Sequence, residues 1–166
     1  MGRAGQSQAP LSCAAQGPPT SRVASARTLG GTETTVSYLV STAEDTIREF
    51  WRLMATNDFA SVKQVLADSF VLEWPQSNER IRGADNFARM NAEYPAHGRW
   101  AFTMRRLVAT PTEVVTHVAI TDGTQSAEAI SFFQVAGGRI TRMVEFWPEN
   151  YPAPKNRAHL TEPIVP

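Results

Sequence analysis

From residue 42 onward the apolar positions follow two periods in succession, and the switch between them predicts the order of elements. Ile47, Phe50, Trp51 and Met54 recur at helical spacing over residues 42–56, which gives a helix with one apolar stripe. Ser41-Thr42 reads as its N-cap, followed by Glu44 and Asp45 in the first turn, where the helix dipole favours negative charge. Asn57-Asp58 breaks this helix, and Phe59, Val62, Val65 and Leu66 mark a second that ends near Ala67. The run Phe70-Val71-Leu72 then predicts a short strand stopping at Trp74-Pro75, because proline cannot donate to a ladder. A polar turn follows, and a third helix spans residues 83–94 with Phe87, Met90 and Asn91 on one face.

After Pro95–Gly98 the period becomes two. Trp100, Phe102 and Met104 alternate with Ala101, Thr103 and Arg105, and further strands are expected over 112–121, 125–135 and 139–147. They turn at Asp122-Gly123 and at Ala136-Gly137-Gly138, the latter suited to a three-residue hairpin loop with a left-handed glycine. Helices first, a broken strand and then four strands predict an α+β fold. A curved antiparallel or mixed sheet would wrap three N-terminal helices and leave a pocket inside the cone. Residues 1–37, rich in Gly, Pro, Ser and Ala without periodicity, read as a disordered extension. The folded domain is expected over 38–150, with 151–166 an irregular, proline-rich tail.

Composition narrows the functions. Lys+Arg and Asp+Glu number 16 each, so no net field draws in nucleic acid or an anionic membrane. The single cysteine, Cys13, excludes an internal disulfide and a multi-cysteine metal site. No apolar run approaches the ~18–20 residues needed to cross a bilayer. Pro10, Gly17, Pro18 and Pro19 interrupt any secretory h-region, so a cytoplasmic protein is expected. His97, His117 and His159 lie on separate elements without ligand spacing. No glycine-rich phosphate loop follows a strand, and no serine nucleophile elbow is present. Neither a metal nor a cofactor is expected.

The segments FWRLMATNDFASV (50–62), LADSFVLEWP (66–75), RIRG (80–83) and ISFFQVAGGRITRMVEFW (130–147) together resemble the SnoaL-like polyketide-cyclase family of the nuclear transport factor 2-like superfamily. The resemblance covers roughly residues 42–150 and rests on the ordered set of segments. It implies a cone with a deep apolar cavity, often paired as a homodimer through the outer face of the sheet. Isomerases, cyclases, dehydratases, epoxide hydrolases and non-catalytic binding modules all use this fold, so the pocket is implied and the chemistry is not. The sister family of ketosteroid isomerases supplies a negative comparison. Its oxyanion tyrosine falls on Phe50, its general-base aspartate on Trp74 and its neutral aspartic acid near Ser131. Its aromatic end wall is matched by Met143 and Trp147.

Taking Met143 and Trp147 as inward, alternation makes Thr141 and Glu145 inward too. A three-residue loop at 136–138 would pair Val135 with Arg139, Ser131 with Met143 and Ala129 with Glu145. Ala129, Ser131, Phe133 and Val135 then face in. The same parity through Asp122-Gly123 sets His117 opposite Ala129, with His117 and Glu145 backbones ~10 Å apart. Their side chains could meet over small Ala129 as a catalytic acid/base pair, the carboxylate raising the imidazole pKa and orienting one tautomer. Slipping that hairpin by one residue instead turns His117 outward and leaves Glu145 to a tail arginine such as Arg157. Phe50, Trp74, Trp100, Ser131, Phe133, Met143 and Trp147 are the candidate substrate-binding residues. Trp74 facing in puts Glu73 outside, and Glu128 joins Ile130 and Phe132 on the outer face. Two readings follow. One is a cofactor-independent cyclase, isomerase, dehydratase or hydrolase of a small apolar molecule. The other is a non-catalytic ligand-binding or accessory module. Homodimerisation is expected through Val114, Val118, Ile130 and Phe132.

Overall fold

Thr42 opens the first helix with a reciprocal cap. Its hydroxyl accepts the Asp45 N–H at 3.1 Å, and the Asp45 carboxylate accepts the Thr42 N–H at 3.1 Å. In this computed structural model, which describes residues 41–164, the helix so capped is α1, Ala43–Thr56. The expected disordered extension 1–37, with Cys13, lies outside the described residues. One face of α1 buries Ile47, Phe50, Trp51, Leu53 and Met54. Asn57, in the left-handed conformation at φ 62°, ends the helix. Its side chain then grips a distant loop, donating to Trp100 O and accepting the Trp100 N–H, both at 2.8 Å.

The second expected helix is a 3-10 helix, Phe59–Val65, which buries Val62 and Val65 and leads straight into β1, Leu66–Trp74. After β1 the polar turn proves to be a hairpin. Residues 75–78, with Asn78 at φ 59°, return the chain as β2, Glu79–Arg82, antiparallel to β1. Gly83, at φ 81°, turns it into α2, Ala84–Glu93. Four strands follow: β3 (Ala101–Ala109), β4 (Glu113–Thr121), β5 (Ser126–Ala136) and β6 (Arg139–Phe146). The sheet runs β2-β1-β6-β5-β4-β3, antiparallel except where β1 meets β6. It is the mixed, curved sheet around helices that the periods predict. Every described residue from 148 to 164 is exposed, with a 3-10 turn at Lys155–Arg157.

Both hairpin registers differ from expectation. Gly137 and Gly138, at φ 57° and 71°, form a two-residue turn that pairs Ala136 with Arg139. Left-handed backbone at both central positions is the type I′ geometry that matches strand twist. An irregularity next along β6 then leaves Thr141 without a partner, so Ile140, not Thr141, faces the core. Beyond it Phe133 pairs with Met143 and Ser131 with Glu145, two residues from the expected register. An even offset keeps faces, so Ser131, Phe133, Met143 and Glu145 still point inward.

At the other hairpin Asp122 accepts the Thr124 and Gln125 N–H groups at 2.9 and 2.8 Å and closes a loop that pairs Thr121 with Ser126. Val118 therefore faces Ala129, and His117 faces Ile130. This offset is odd, and the whole strand turns over. Val114, Thr116, Val118 and Ile120 are buried under the helices, and His117 is outside. A further break at Arg105, between the Met104–Val118 and Arg106–His117 pairs, adds to the bend of β3 and β4.

The Asp122 carboxylate also accepts the His97 N–H at 2.8 Å, and Gln125 Nε2 donates to Pro95 O at 3.1 Å. Chiefly the His97 amide, joined by those of Gln125 and Thr124, holds Asp122 well below the ordinary carboxylate range. The loop after α2 is thus stitched to the β4–β5 turn. Gly98 sits in that seam, where an added Cβ would lie 2.6 Å from Asp122 O. Gly98→Ala must push this backbone apart and is expected to cost about 1–3 kcal/mol, read by urea denaturation.

Candidate functional site

A cavity of about 440 Å³ lies between the helices and the sheet. Phe50, Trp51 and Met54 of α1 and Phe87, Met90 and Asn91 of α2 form one side. Phe102, Ile120, Met143 and Glu145 of the sheet form the other. Trp74 and Trp147 continue the wall from the ends of β1 and β6, and Trp100 is held at it by Asn57. Tyr94, Gln76, Glu79, Gln125 and Glu149 border the mouth. Gln76 fixes the exit of β6, accepting the Trp147 N–H at 2.6 Å and donating to Trp147 O at 3.1 Å.

Glu145 is the chemical centre of this cavity. It is 4% exposed, and its two oxygens accept separate hydrogen bonds. Trp74 Nε1 donates to Oε2 at 2.9 Å, and Ser131 Oγ donates to Oε1 at 2.9 Å. Among the described residues no cation pairs with it, Arg157 included. Burial raises its pKa above the usual carboxylate value, against the opposing pull of the Trp74, Ser131 and Trp147 donors. Thr116 Oγ1, in the same inward row beyond Ser131, and Trp51 Nε1 are buried without a partner among the described residues.

The expected catalytic pair does not assemble. His117 Nε2 bonds Glu128 Oε2 at 2.7 Å on the outer face, on the opposite side of the sheet from Glu145. The one-residue offset of the β4–β5 hairpin is the physical reason. Phe50, Trp74, Trp100, Met143 and Trp147 do line the cavity. Ser131 and Phe133 do not. Ser131 reaches Glu145 from beneath it, and Phe133 packs on Phe50 with ring centroids 5.4 Å apart. Glu73 lies on the far side of the sheet from Trp74, bridged to Arg80 at 2.6 Å and Arg142 at 2.5 Å. Sequence reasoning missed Gln76 and Asn57, which position Trp147 and Trp100, and the mouth residues Tyr94, Glu79 and Glu149. Only Asn57 carried a local signal, as the break after α1.

An open, curved six-strand sheet closed by helices over such a cavity is the nuclear transport factor 2-like fold. Solved structures of that fold bear this out. A Burkholderia xenovorans LB400 NTF2-like protein of unknown function is 24% identical, with a TM-score of 0.60 over 74% of this chain and 98% of its own. An epoxide hydrolase of the LEH-like type from M. tuberculosis is 23% identical, with a TM-score of 0.52 over 62% of this chain and 80% of its own. A Kribbella flavida DSM 17836 protein, provisionally assigned as a ketosteroid isomerase, is 31% identical, with a TM-score of 0.67 over 73% of this chain and 88% of its own. No curated protein matches the chain. The SnoaL-like domain model matches residues 47–143, and the chain belongs to the SnoaL-like domain family.

Glu145 gives the site a pH signature. The folded state keeps its proton to higher pH than the unfolded chain, whose ordinary value is 4.5. Its contribution to stability is therefore complete below that pH and is lost as pH rises through the folded pKa. Glu145→Gln is expected to abolish this decline, measured as the difference in unfolding free energy between the two proteins in urea titrations across pH.

Proposed function

We propose that the protein is a cofactor-independent acid/base enzyme acting on a small, largely apolar molecule held in the cavity, with Glu145 as the proton-transfer group. The observation that carries this reading is a buried carboxyl with two donors and, among the described residues, no counter-ion, facing an apolar cavity. As the carboxylate it takes a proton from the substrate, and the N–H of Trp74 and the O–H of Ser131 then hold its oxygens in place. As the acid it returns that proton to another atom. One shuttling carboxyl suffices for isomerisation, cyclisation or dehydration, and hydrolysis would add a water to the same geometry. His117 has no part in this scheme.

The second reading is a binding or accessory module without turnover. It is favoured by the lack, among the described residues, of a second titratable group beside Glu145, since Glu79, Tyr94 and Glu149 belong to the mouth. Incubating wild type and Glu145→Gln with a cellular metabolite extract, followed by untargeted mass spectrometry, separates the two. The enzyme reading expects a compound consumed by wild type and spared by the variant by a factor of at least ~100 in rate. Compounds retained by wild type but never converted would support the module instead.

Self-association is proposed through the outer sheet face. Of the four residues first assigned there, Val114 and Val118 are in the core, while Ile130 and Phe132 lie on the face together with Val115, Val144 and Phe146. Phe132 is 46% exposed and stacks edge-on with Phe146 at 6.1 Å. An apolar face of this kind favours a symmetric dimer. Light scattering at micromolar concentration is expected to give twice the chain mass for wild type and the single-chain mass for Phe132→Lys. Among the described residues no helix is long and apolar enough to cross a membrane.

A further inference from the structure

The charge inventory of the cavity is one-sided. Among the described residues its wall and mouth include three carboxyl groups, Glu79, Glu145 and Glu149, and no lysine, arginine or histidine. All four tryptophans of the chain, Trp51, Trp74, Trp100 and Trp147, line the same space. We infer that the preferred ligand is an apolar, aromatic-bodied molecule bearing an ammonium group that seats against Glu145, and that anionic molecules are refused.

An anion entering this cavity would lose its water, find no cation, and face a carboxylate at the base and two at the mouth. Burying an unpaired charge there is prohibitive. A neutral ligand gains only the burial of its apolar body. An ammonium gains more, because Glu145 lacks a counter-ion and would acquire one. Trp74 Nε1 holds Oε2 and Ser131 Oγ holds Oε1, both at 2.9 Å, so the carboxylate is fixed in place to meet an incoming cation. The exposed carboxylates Glu79 and Glu149 bias entry in the same direction. Bulky aromatic walls enclose the body of the ligand, and Glu145 is the buried carboxyl that meets it. The inference rests on the small-molecule reading of the cavity and specifies the class of molecule.

The test uses the full chain and three probes of one shape: naphthylethylamine, naphthylethanol and naphthylacetate, titrated calorimetrically at neutral pH. The amine is expected to bind about tenfold more tightly than the alcohol, and the acetate not measurably. In Glu145→Gln the amine preference should vanish while the alcohol is unaffected. In Glu149→Gln, whose exposed position leaves folding intact, it should shrink by about twofold. Acetate binding as tight as amine binding overturns the inference, as does an amine preference that survives Glu145→Gln in a folded variant. Equal binding of amine and alcohol sinks the charge preference but leaves the small-molecule cavity standing. Failure of all three probes at millimolar concentration removes both.

Discussion

Phe50 is where the helical layer meets the sheet, and its packing decides where the cone is full and where it is hollow. The ring is fully buried, with centroids 5.4 Å from Phe133, 5.9 Å from Phe87 and 5.1 Å from Trp51. It thereby ties α1 to β5 and α2 in one cluster. A buried phenylalanine of this kind contributes about 3–5 kcal/mol, a large share of the stability of a domain this size. Phe133, Val135 and Ile140 are buried in the core and do not line the cavity. Beside Trp74, Trp100 and Trp147, side chains from both layers line a space rather than fill it.

Glu145 stands at the boundary between these two regions. A carboxyl here works against folding, because ionising it without a counter-ion is costly in a dry environment. Two hydrogen bonds offset part of that cost and fix the orientation of both oxygens. A purely structural position would be served better by leucine or methionine. The polar row Thr116–Ser131–Glu145 across three strands makes sense when the group at its end meets something that enters the cavity.

Local chemistry accounts for what could be read from the chain. The α1 stripe, its Thr42–Asp45 cap and the stop at Asn57 depend on neighbours within one or two turns, and they appear where the pattern places them. The pleat sets Trp74 and Glu73 on opposite faces, and the family resemblance supplied which of them faces in. β2 was invisible because Glu79–Arg82 is mostly exposed and shows no apolar alternation. The Gly137-Gly138 turn was read one residue too long, and the irregularity at Thr141 restored the faces. At Asp122 no such compensation occurred, and His117 went to the other side.

The residues by themselves determined α1, α2 and the strands from β3 to β6, because these follow from short-range sterics and a fixed period, whereas the inward face of β6 was read by taking Met143 and Trp147 from the family resemblance. Only the tertiary structure decided which side chains meet. Glu145 found Trp74 and Ser131 rather than His117 because hairpin length is set by the carboxylate of Asp122 closing on backbone amides, and one residue of loop inverts an entire strand.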